Sequence, residues 1–241
     1  MKIPRSITPK ILNNLDKEDI LLIIGARQVG KTTLIKQLTK ILKERSAQYF
    51  YFTLEDKELL EMLNKHPNNI FQYVPQTTGK TYLLIDEIQY LEDPSNFLKY
   101  IYDQYKDRIK LIVTGSSAFY IDKKFKDSLA GRKKILKLTP FNFSEFLIAK
   151  GETNFAEKIK QPMFMESNSK RKFLLPERKR LEIFWNEYIV YGGYPKIVLE
   201  NDHEEKQDYL KELYQSFLKK DVLDSGVKEE IAFYKLIKVL A

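Results

Sequence analysis

The chain has 241 residues and a mass of 28.6 kDa, which is enough for one large domain or for one domain with an appendage, and 43% of its residues are hydrophobic. Without cysteine it can form neither disulfides nor thiolate nucleophiles, and two distant histidines, His66 and His203, argue against a zinc site. No apolar stretch approaches the roughly 18 residues of a membrane span, and the first residues lack the apolar region of a signal peptide. We therefore expect a cytoplasmic protein without a membrane partner.

The net charge of +8 is concentrated in two basic clusters, residues 123–137 and residues 170–180. Such clusters permit contact with double-stranded DNA. A solvated, lysine-rich surface is the favoured explanation, and DNA binding is the alternative.

The first predicted strand, residues 20–24, is an apolar run that leads directly into G-A-R-Q-V-G-K-T-T. This is the P-loop pattern, placed between a buried strand and a predicted helix over residues 32–45. Glycine lets the backbone approach a polyphosphate closely, Lys31 carries a positive charge to the β- and γ-phosphates, and the Thr32 hydroxyl can ligate Mg²⁺. The predicted nucleotide-binding residues of this loop are Gly25, Ala26, Arg27, Gln28, Val29, Gly30, Lys31, Thr32 and Thr33.

The next predicted elements are a strand over residues 48–54, short helices over residues 58–63 and 69–74, and a strand over residues 81–85. The last of these strands runs into Asp86 and Glu87. A carboxylate at the end of a buried strand can hold Mg²⁺ beside the P-loop, and Glu87 is placed to polarise a water for attack on the γ-phosphate. A helix N-terminus also favours acidic residues, but a position downstream of a P-loop favours the catalytic role. The strand between the two motifs suits ATPases of the additional-strand class rather than Ras-like GTPases.

A helix is predicted to begin at Pro94, and a fourth strand over residues 109–113 ends at Thr114-Gly115-Ser116-Ser117. These residues can bring a hydroxyl or a backbone dipole toward the γ-phosphate, and Ser116 is the predicted nucleotide contact. A helix N-cap is the structural alternative, and the two roles are compatible.

Arg132 precedes the fifth predicted strand, residues 133–138, and follows Gly131 in a basic loop. An arginine presented in this way can stabilise the charge of the transition state, either in cis or from a neighbouring subunit, and we count Arg132 with Lys31 and Glu87 as a candidate catalytic residue. An exposed arginine in a basic stretch is otherwise only solvated. A short helix over residues 141–149 completes a predicted core of residues 1–150.

Residues 151–175 are polar and predict a linker or a mobile loop. Helices are predicted from Pro176 to about Val190, over residues 204–220 and from Lys228, with a break at residues 192–195. The last of these helices has no C-terminal cap within the sequence, which predicts a helical region over residues 176–241 that is cut short at its C-terminus, with a frayed natural terminus as the alternative.

These segments together resemble the AAA+-type, STAND-like ATPases of archaea and bacteria. The matching phrases are G-A-R-Q-V-G-K-T-T-L, L-L-I-D-E-I-Q-Y-L, L-I-V-T-G-S-S-A, S-L-A-G-R, L-T-P-F-N-F-S-E-F-L and Y-G-G-Y-P. The resemblance implies an α/β fold with a five-stranded parallel sheet followed by a small all-α lid. It further implies a sensor-1 segment at residues 114–117, a lid motif that brings Pro195 near the adenine, and a winged helix and a domain of unknown function beyond the lid.

The sequence therefore predicts a Mg²⁺-dependent ATPase whose nucleotide state drives a conformational switch, with ATP and Mg²⁺ bound and a homo-oligomer allowed. The alternative is a DNA-binding switch that ATP controls and that turns over little ATP. A P-loop kinase is disfavoured by the Asp86-Glu87 pair, and the P-loop by itself does not distinguish ATP from GTP.

Overall fold

A computed structural model describes residues 3–75, 79–115, 129–160 and 173–217. The described residues form two compact units. The sheet unit is Ile7–Leu138, and the helical unit consists of residues 3–6 with the described residues from Thr139 onward. The chain passes between units after Leu138, twelve residues before the predicted end of the core at residue 150.

The sheet unit contains five parallel strands in the order β2-β3-β4-β1-β5. The strands are β1 (Ile20–Ile24), β2 (Gln48–Thr53), β3 (Thr81–Asp86), β4 (Ile109–Gly115) and β5 (Lys133–Lys137). Strand β4 separates β1 from β3, so the P-loop strand and the acidic strand are not neighbours. The predicted five-stranded parallel sheet of the additional-strand class is confirmed, with strand ends that differ from the predicted ones by two residues or fewer.

Helices cover both faces of this sheet, which is why β1, β3 and β4 are buried along their whole length and read as apolar runs. The helices of the unit are α1 (Thr8–Leu12), α2 (Lys31–Glu44), α3 (Lys57–Lys65) and α4 (Pro94–Tyr105), with 3₁₀ helices at Pro67–Gln72 and Ile88–Tyr90. Helices α3 and α4 pack with Leu22, Leu83 and Leu111 in one apolar cluster. Helix α2 contacts β2, β3 and β4. Proline begins α4 as predicted, and the Asp93 carboxylate caps it by accepting from the Asn96 N–H at 2.9 Å.

The helical unit contains α5 (Phe143–Ala149), α6 (Thr153–Lys160), α7 (Leu175–Tyr191), α8 (Pro195–Leu199) and α9 (His203–Ser216). Helix α6 lies where the sequence predicts a linker or loop, and that part of the prediction is wrong. The segment is polar overall and therefore does not predict a helix, but Phe155 and Ala156 pack into the core of the unit. The predicted helix from Lys228 lies outside the described residues. Among the described residues, no helix is both long and apolar enough to cross a membrane.

Candidate active site

The polar residues of the site lie where β1, β3 and β4 end, at the same edge of the sheet. The P-loop begins directly after Ile24, Asp86 is the last residue of β3, and Thr114 lies next to last in β4. The parallel register places Thr114 opposite Ile23 of β1. The strand order thus brings together residues from different parts of the sequence, between positions 25 and 115. They meet at the carboxyl edge of the sheet, where parallel sheets bind ligands.

The P-loop backbone is held in a conformation that few residue types adopt. Gln28 and Gly30 have φ of 63° and 94°, in the left-handed region, and Gly30 is the residue before α2. A Cβ on Gly25 would lie 2.3 Å from the carbonyl oxygen of Leu138, so the loop begins with its backbone packed against the end of β5. As a glycine, Gly30 brings no side-chain oxygen to the start of α2, and the first-turn N–H groups there are suited to an anion.

Lys31 is 4% exposed, and its ammonium donates to the carbonyl oxygens of Gly25 at 3.1 Å and Ala26 at 2.9 Å. These bonds fold the side chain back across the loop. Val29 is buried, Thr32 is half-buried, and Thr33 and Gln28 are exposed. The structure therefore places the predicted loop residues around one short turn that encloses the Lys31 charge.

Thr114 joins the two acidic residues. Its hydroxyl donates to Asp86 Oδ1 and accepts the N–H of Glu87 at 3.1 Å. Glu87 itself has a left-handed backbone, with φ of 60°, which is rare for a residue with a side chain and recurs at functional sites. The side-chain amide of Gln89 donates to Glu87 Oε2. Thr114 thus fixes the carboxylate of one acid and the backbone of the other.

Tyr51, which the sequence analysis does not single out, contacts the same carboxylate from β2. Its hydroxyl donates to Asp86 Oδ2 at 3.3 Å. Burial and then the Asp86 charge raise the pKa of Tyr51 to about 12, so the phenol keeps its proton near neutral pH. The signal in the sequence is weak, since Tyr51 is one of several aromatic residues in a strand.

The residues present fit Mg²⁺ and a nucleoside triphosphate. Thr32 and Asp86 supply a hydroxyl and a carboxylate, which are the hard oxygen ligands that Mg²⁺ prefers together with water and phosphate. Among the described residues, no group of three or more His, Cys, Asp or Glu side chains is arranged to hold a metal. A site with one carboxylate suits an ion whose remaining ligands come from phosphate and water.

Arg132 does not join this constellation within its own chain. It precedes β5, and its carbonyl oxygen accepts the N–H of Ile20 at 2.8 Å, at the start of β1. The P-loop follows the other end of β1, about 13 Å away at the usual rise of a strand. The guanidinium pairs with Asp103 of α4 at 2.8 Å. Because β1 and β5 run parallel, Arg132 lies at the opposite end of β1 from the P-loop, and of the two alternatives for Arg132, action from a neighbouring subunit stays a prediction.

Two further predicted nucleotide contacts are Ser116 and Pro195. Ser116 is outside the described residues. Pro195 begins α8 in the helical unit, after the break at Gly192–Tyr194. A cavity of about 570 Å³ in that unit is lined by residues that include Pro140, Tyr188, Tyr191 and Tyr194.

Solved structures with similar folds include the Aeropyrum pernix ORC1 protein in complex with DNA, at 13% identity and a TM-score of 0.43 over 63% of this chain and 48% of that one. Another is C. elegans PCH-2, at 14% identity and a TM-score of 0.49 over 86% of this chain and 63% of that one.

Curated relatives cover nearly the whole chain. An uncharacterized protein of Methanocaldococcus jannaschii is 29% identical over 99% of this chain and 48% of its own length. A second protein of that organism is 31% identical over 89% of this chain and 45% of its own length, and an uncharacterized protein of Haemophilus influenzae is 26% identical over 94% and 52%. The chain thus spans about half the length of these relatives.

Two family models match the chain. Residues 183–241 match a domain of unknown function, DUF8612, which agrees with the C-terminal domain that the resemblance implies. Residues 17–147 match an AAA domain, and this segment contains the P-loop, Asp86, Glu87 and Thr114. Since the match covers more than half of the chain, the predicted resemblance is confirmed, and the chain belongs to the AAA+ family of P-loop ATPases.

Proposed function

We propose that this chain is a Mg²⁺-dependent ATPase whose cycle of ATP binding and hydrolysis drives a conformational switch. The observation that carries the proposal is the Thr114 hydroxyl, which links the Asp86 carboxylate to the Glu87 backbone at the sheet edge where the P-loop begins. This arrangement holds a metal-binding acid and a candidate base in fixed positions beside a phosphate-binding loop.

Each residue has a separate task in this proposal. Lys31 exchanges its carbonyl partners for the β- and γ-phosphate oxygens, where a charge-assisted hydrogen bond is stronger. Thr32 and Asp86 hold Mg²⁺, which when bound neutralises charge on the phosphates. Glu87 accepts a proton from the attacking water through its carboxylate while Gln89 steadies Oε2.

In this proposal the base of the nucleotide contacts residues of the helical unit. The residues that line a cavity of about 570 Å³ in this unit include three tyrosines, Tyr188, Tyr191 and Tyr194. Such rings are suited to a planar purine. This supports, within the helical unit, the expectation that the segment around Pro195 contributes to adenine binding.

Replacing Glu87 with Gln tests the proposal. The amide keeps the shape of the side chain but cannot accept a proton, so kcat should fall by about 100-fold or more while the Kd for ATP stays within about twofold. Steady-state ATP hydrolysis with Mg²⁺ and fluorescent-nucleotide binding measure the two quantities. Glu61→Gln, an exposed residue of α3, is the matched control. Unchanged hydrolysis in Glu87→Gln would refute the role of the base.

The same assay with double-stranded DNA distinguishes the alternative function. Of the basic clusters, the structure describes residues 129–137 and 173–180. Lys134 and Lys137 are exposed on edge strand β5, where lysine commonly protects a sheet edge, and Arg180 pairs with Glu152. This favours the solvated surface, so we expect no stimulation by DNA. Salt-dependent DNA affinity that differs between the ATP and ADP states would favour the DNA-binding switch instead.

A further inference from the structure

The Asp86 carboxylate is held on both oxygens by hydroxyl groups from two different strands. Thr114 of β4 donates to Oδ1, and Tyr51 of β2 donates to Oδ2 at 3.3 Å. Asp86 is 2% exposed, so water cannot readily replace either donor. Two donors on different oxygens fix the rotation of the carboxylate plane, which one donor alone would leave free to swing.

The backbone explains why Tyr51 reaches this position. In the β2–β3 register, Thr53 lies opposite Asp86 and Tyr51 lies opposite Leu84. Side chains two residues apart share a face of the sheet, so Tyr51 stands on the face of Asp86, one diagonal step away. The N–H of Leu54 donates to the carbonyl of Asp86 at 3.1 Å and extends the pairing one residue past the end of β2. This pairing fixes the register of β2 against β3 and so holds Tyr51 within reach of Asp86.

Each carboxylate oxygen can accept more than one hydrogen bond or bind a cation on its second lone pair. A hydroxyl partner therefore does not prevent Asp86 from binding Mg²⁺ or a Mg²⁺-bound water. It restricts the directions in which the remaining lone pairs point. Partners of this kind around metal ligands alter metal affinity by about 10- to 100-fold in other proteins.

We propose that Tyr51 is a positioning residue for the metal site: its hydroxyl holds Asp86 Oδ2 so that Mg²⁺ meets a carboxylate of fixed orientation. The inference rests on the proposed function, because it assigns Tyr51 a part in the same site. It adds the edge strand β2 to the elements that build the site.

The test is Mn²⁺ binding, followed by electron paramagnetic resonance, to the full chain in the presence of ADP. Tyr51→Phe keeps the ring and removes the donor, and it should weaken Mn²⁺ binding by about 10-fold. Its affinity for ADP without metal should match that of wild type. In ATP hydrolysis, the Mg²⁺ concentration for half-maximal rate should rise by the same factor, while kcat at saturating Mg²⁺ changes less than twofold.

Tyr49→Phe is the matched control. Tyr49 stands on the same face of the same strand, opposite Tyr82 and about 7 Å farther from the edge, so this variant should bind Mn²⁺ as wild type does. Equal weakening by both substitutions would mean a general effect on β2 and would overturn the proposal.

Asp86→Asn separates this inference from the proposed function. If Asp86→Asn loses Mn²⁺ binding and Tyr51→Phe retains it fully, Tyr51 has no positioning role and the ATPase proposal stands. If Asp86→Asn binds Mn²⁺ as wild type does, the metal site itself has been assigned wrongly, and both proposals fail.

Discussion

Lys110 shows at the scale of one residue how the sheet unit accommodates a buried charge. It lies in β4 with 0% exposure, and its ammonium donates to the carbonyl oxygens of Lys17 at 2.7 Å and Asp19 at 2.5 Å. These bonds fasten the segment that enters β1. Burial and then the Lys80 charge lower the pKa of Lys110 to about 8, against the opposing effect of Asp19 and Asp16.

This shift predicts a pH dependence of stability. The unfolded chain keeps the Lys110 proton up to about pH 10.5, whereas the folded chain releases it near pH 8. Between these values the unfolded state binds more protons, so the free energy of unfolding should rise with pH. Below pH 8 Lys110 is charged in the folded chain, so the free-energy cost of burying the charge lowers the free energy of unfolding in full. Relative to Lys110→Met, wild type should gain about 3 kcal/mol between pH 7 and pH 10.5.

Urea unfolding of wild type and Lys110→Met at several values of pH measures this difference. Other lysines and tyrosines titrate in both proteins, so their contributions cancel in the comparison. A difference that stays constant across the range would show that Lys110 keeps an ordinary pKa in the folded protein.

At the scale of elements, a glycine packs against each end of the segment from Leu138 to Phe141, one of the two places where the chain passes between units. In the sheet unit, Leu138 donates its N–H to Ile24 at 2.7 Å and packs against Gly25. In the helical unit, Phe141 donates its N–H to Gly193 at 2.7 Å. A glycine at position 193 is therefore required by close backbone packing.

Gly193→Ala tests this packing. The added Cβ would lie 2.0 Å from the carbonyl oxygen of Phe141, and backbone cannot move aside as a flexible side chain can. We expect a loss of about 3 kcal/mol in the free energy of unfolding, measured by urea denaturation. Gly79→Ala is the control, since nothing lies within 4 Å of its Cβ and the change should stay within about 0.5 kcal/mol. Equal stability of the two variants would contradict the close approach.

At the scale of the whole molecule, Arg132 is a predicted catalytic residue that the structure places away from the P-loop of its own chain. It lies at the start of β5, paired with Asp103, while the P-loop follows the end of β1. We therefore predict that Arg132 acts on the nucleotide of another copy. Such an arginine supplied in trans raises hydrolysis by about 10³- to 10⁵-fold in other P-loop enzymes, so isolated chains should turn over slowly.

Mixing two inactive variants tests action in trans. Lys31→Ala cannot hold ATP but keeps Arg132, and Arg132→Ala holds ATP but lacks the arginine. If Arg132 of one copy acts on the ATP bound by another copy, each variant alone should be nearly inactive. The mixture of the two variants should regain ATP hydrolysis. The gain should grow with protein concentration. Asp103→Asn, which frees Arg132 from its partner, should remain active, and a mixture with no gain would assign Arg132 to a structural ion pair.

Much of the fold follows from local pattern. Apolar runs predict β1, β3 and β4 because both faces of a parallel sheet are covered, and Pro94 marks the start of α4 because proline suits a first helical turn. Helix α6 is not predicted, since only Phe155 and Ala156 among its residues are buried, and burial depends on packing partners from elsewhere in the chain.

Local sequence is sufficient to predict the phosphate-binding loop and the acidic pair, because a P-loop needs its glycines, lysine and threonine at fixed spacings within eight residues and Asp86 needs a buried strand before it. The residues that support them become visible only in the folded chain. Strand order places Thr114 between the acids and the P-loop strand, the β2–β3 register brings Tyr51 to Asp86, and the parallel pairing of β1 with β5 separates Arg132 from the loop. Each of these contacts or separations involves residues far apart in the chain. Local periodicity predicts single helices and strands and carries no information about such pairs.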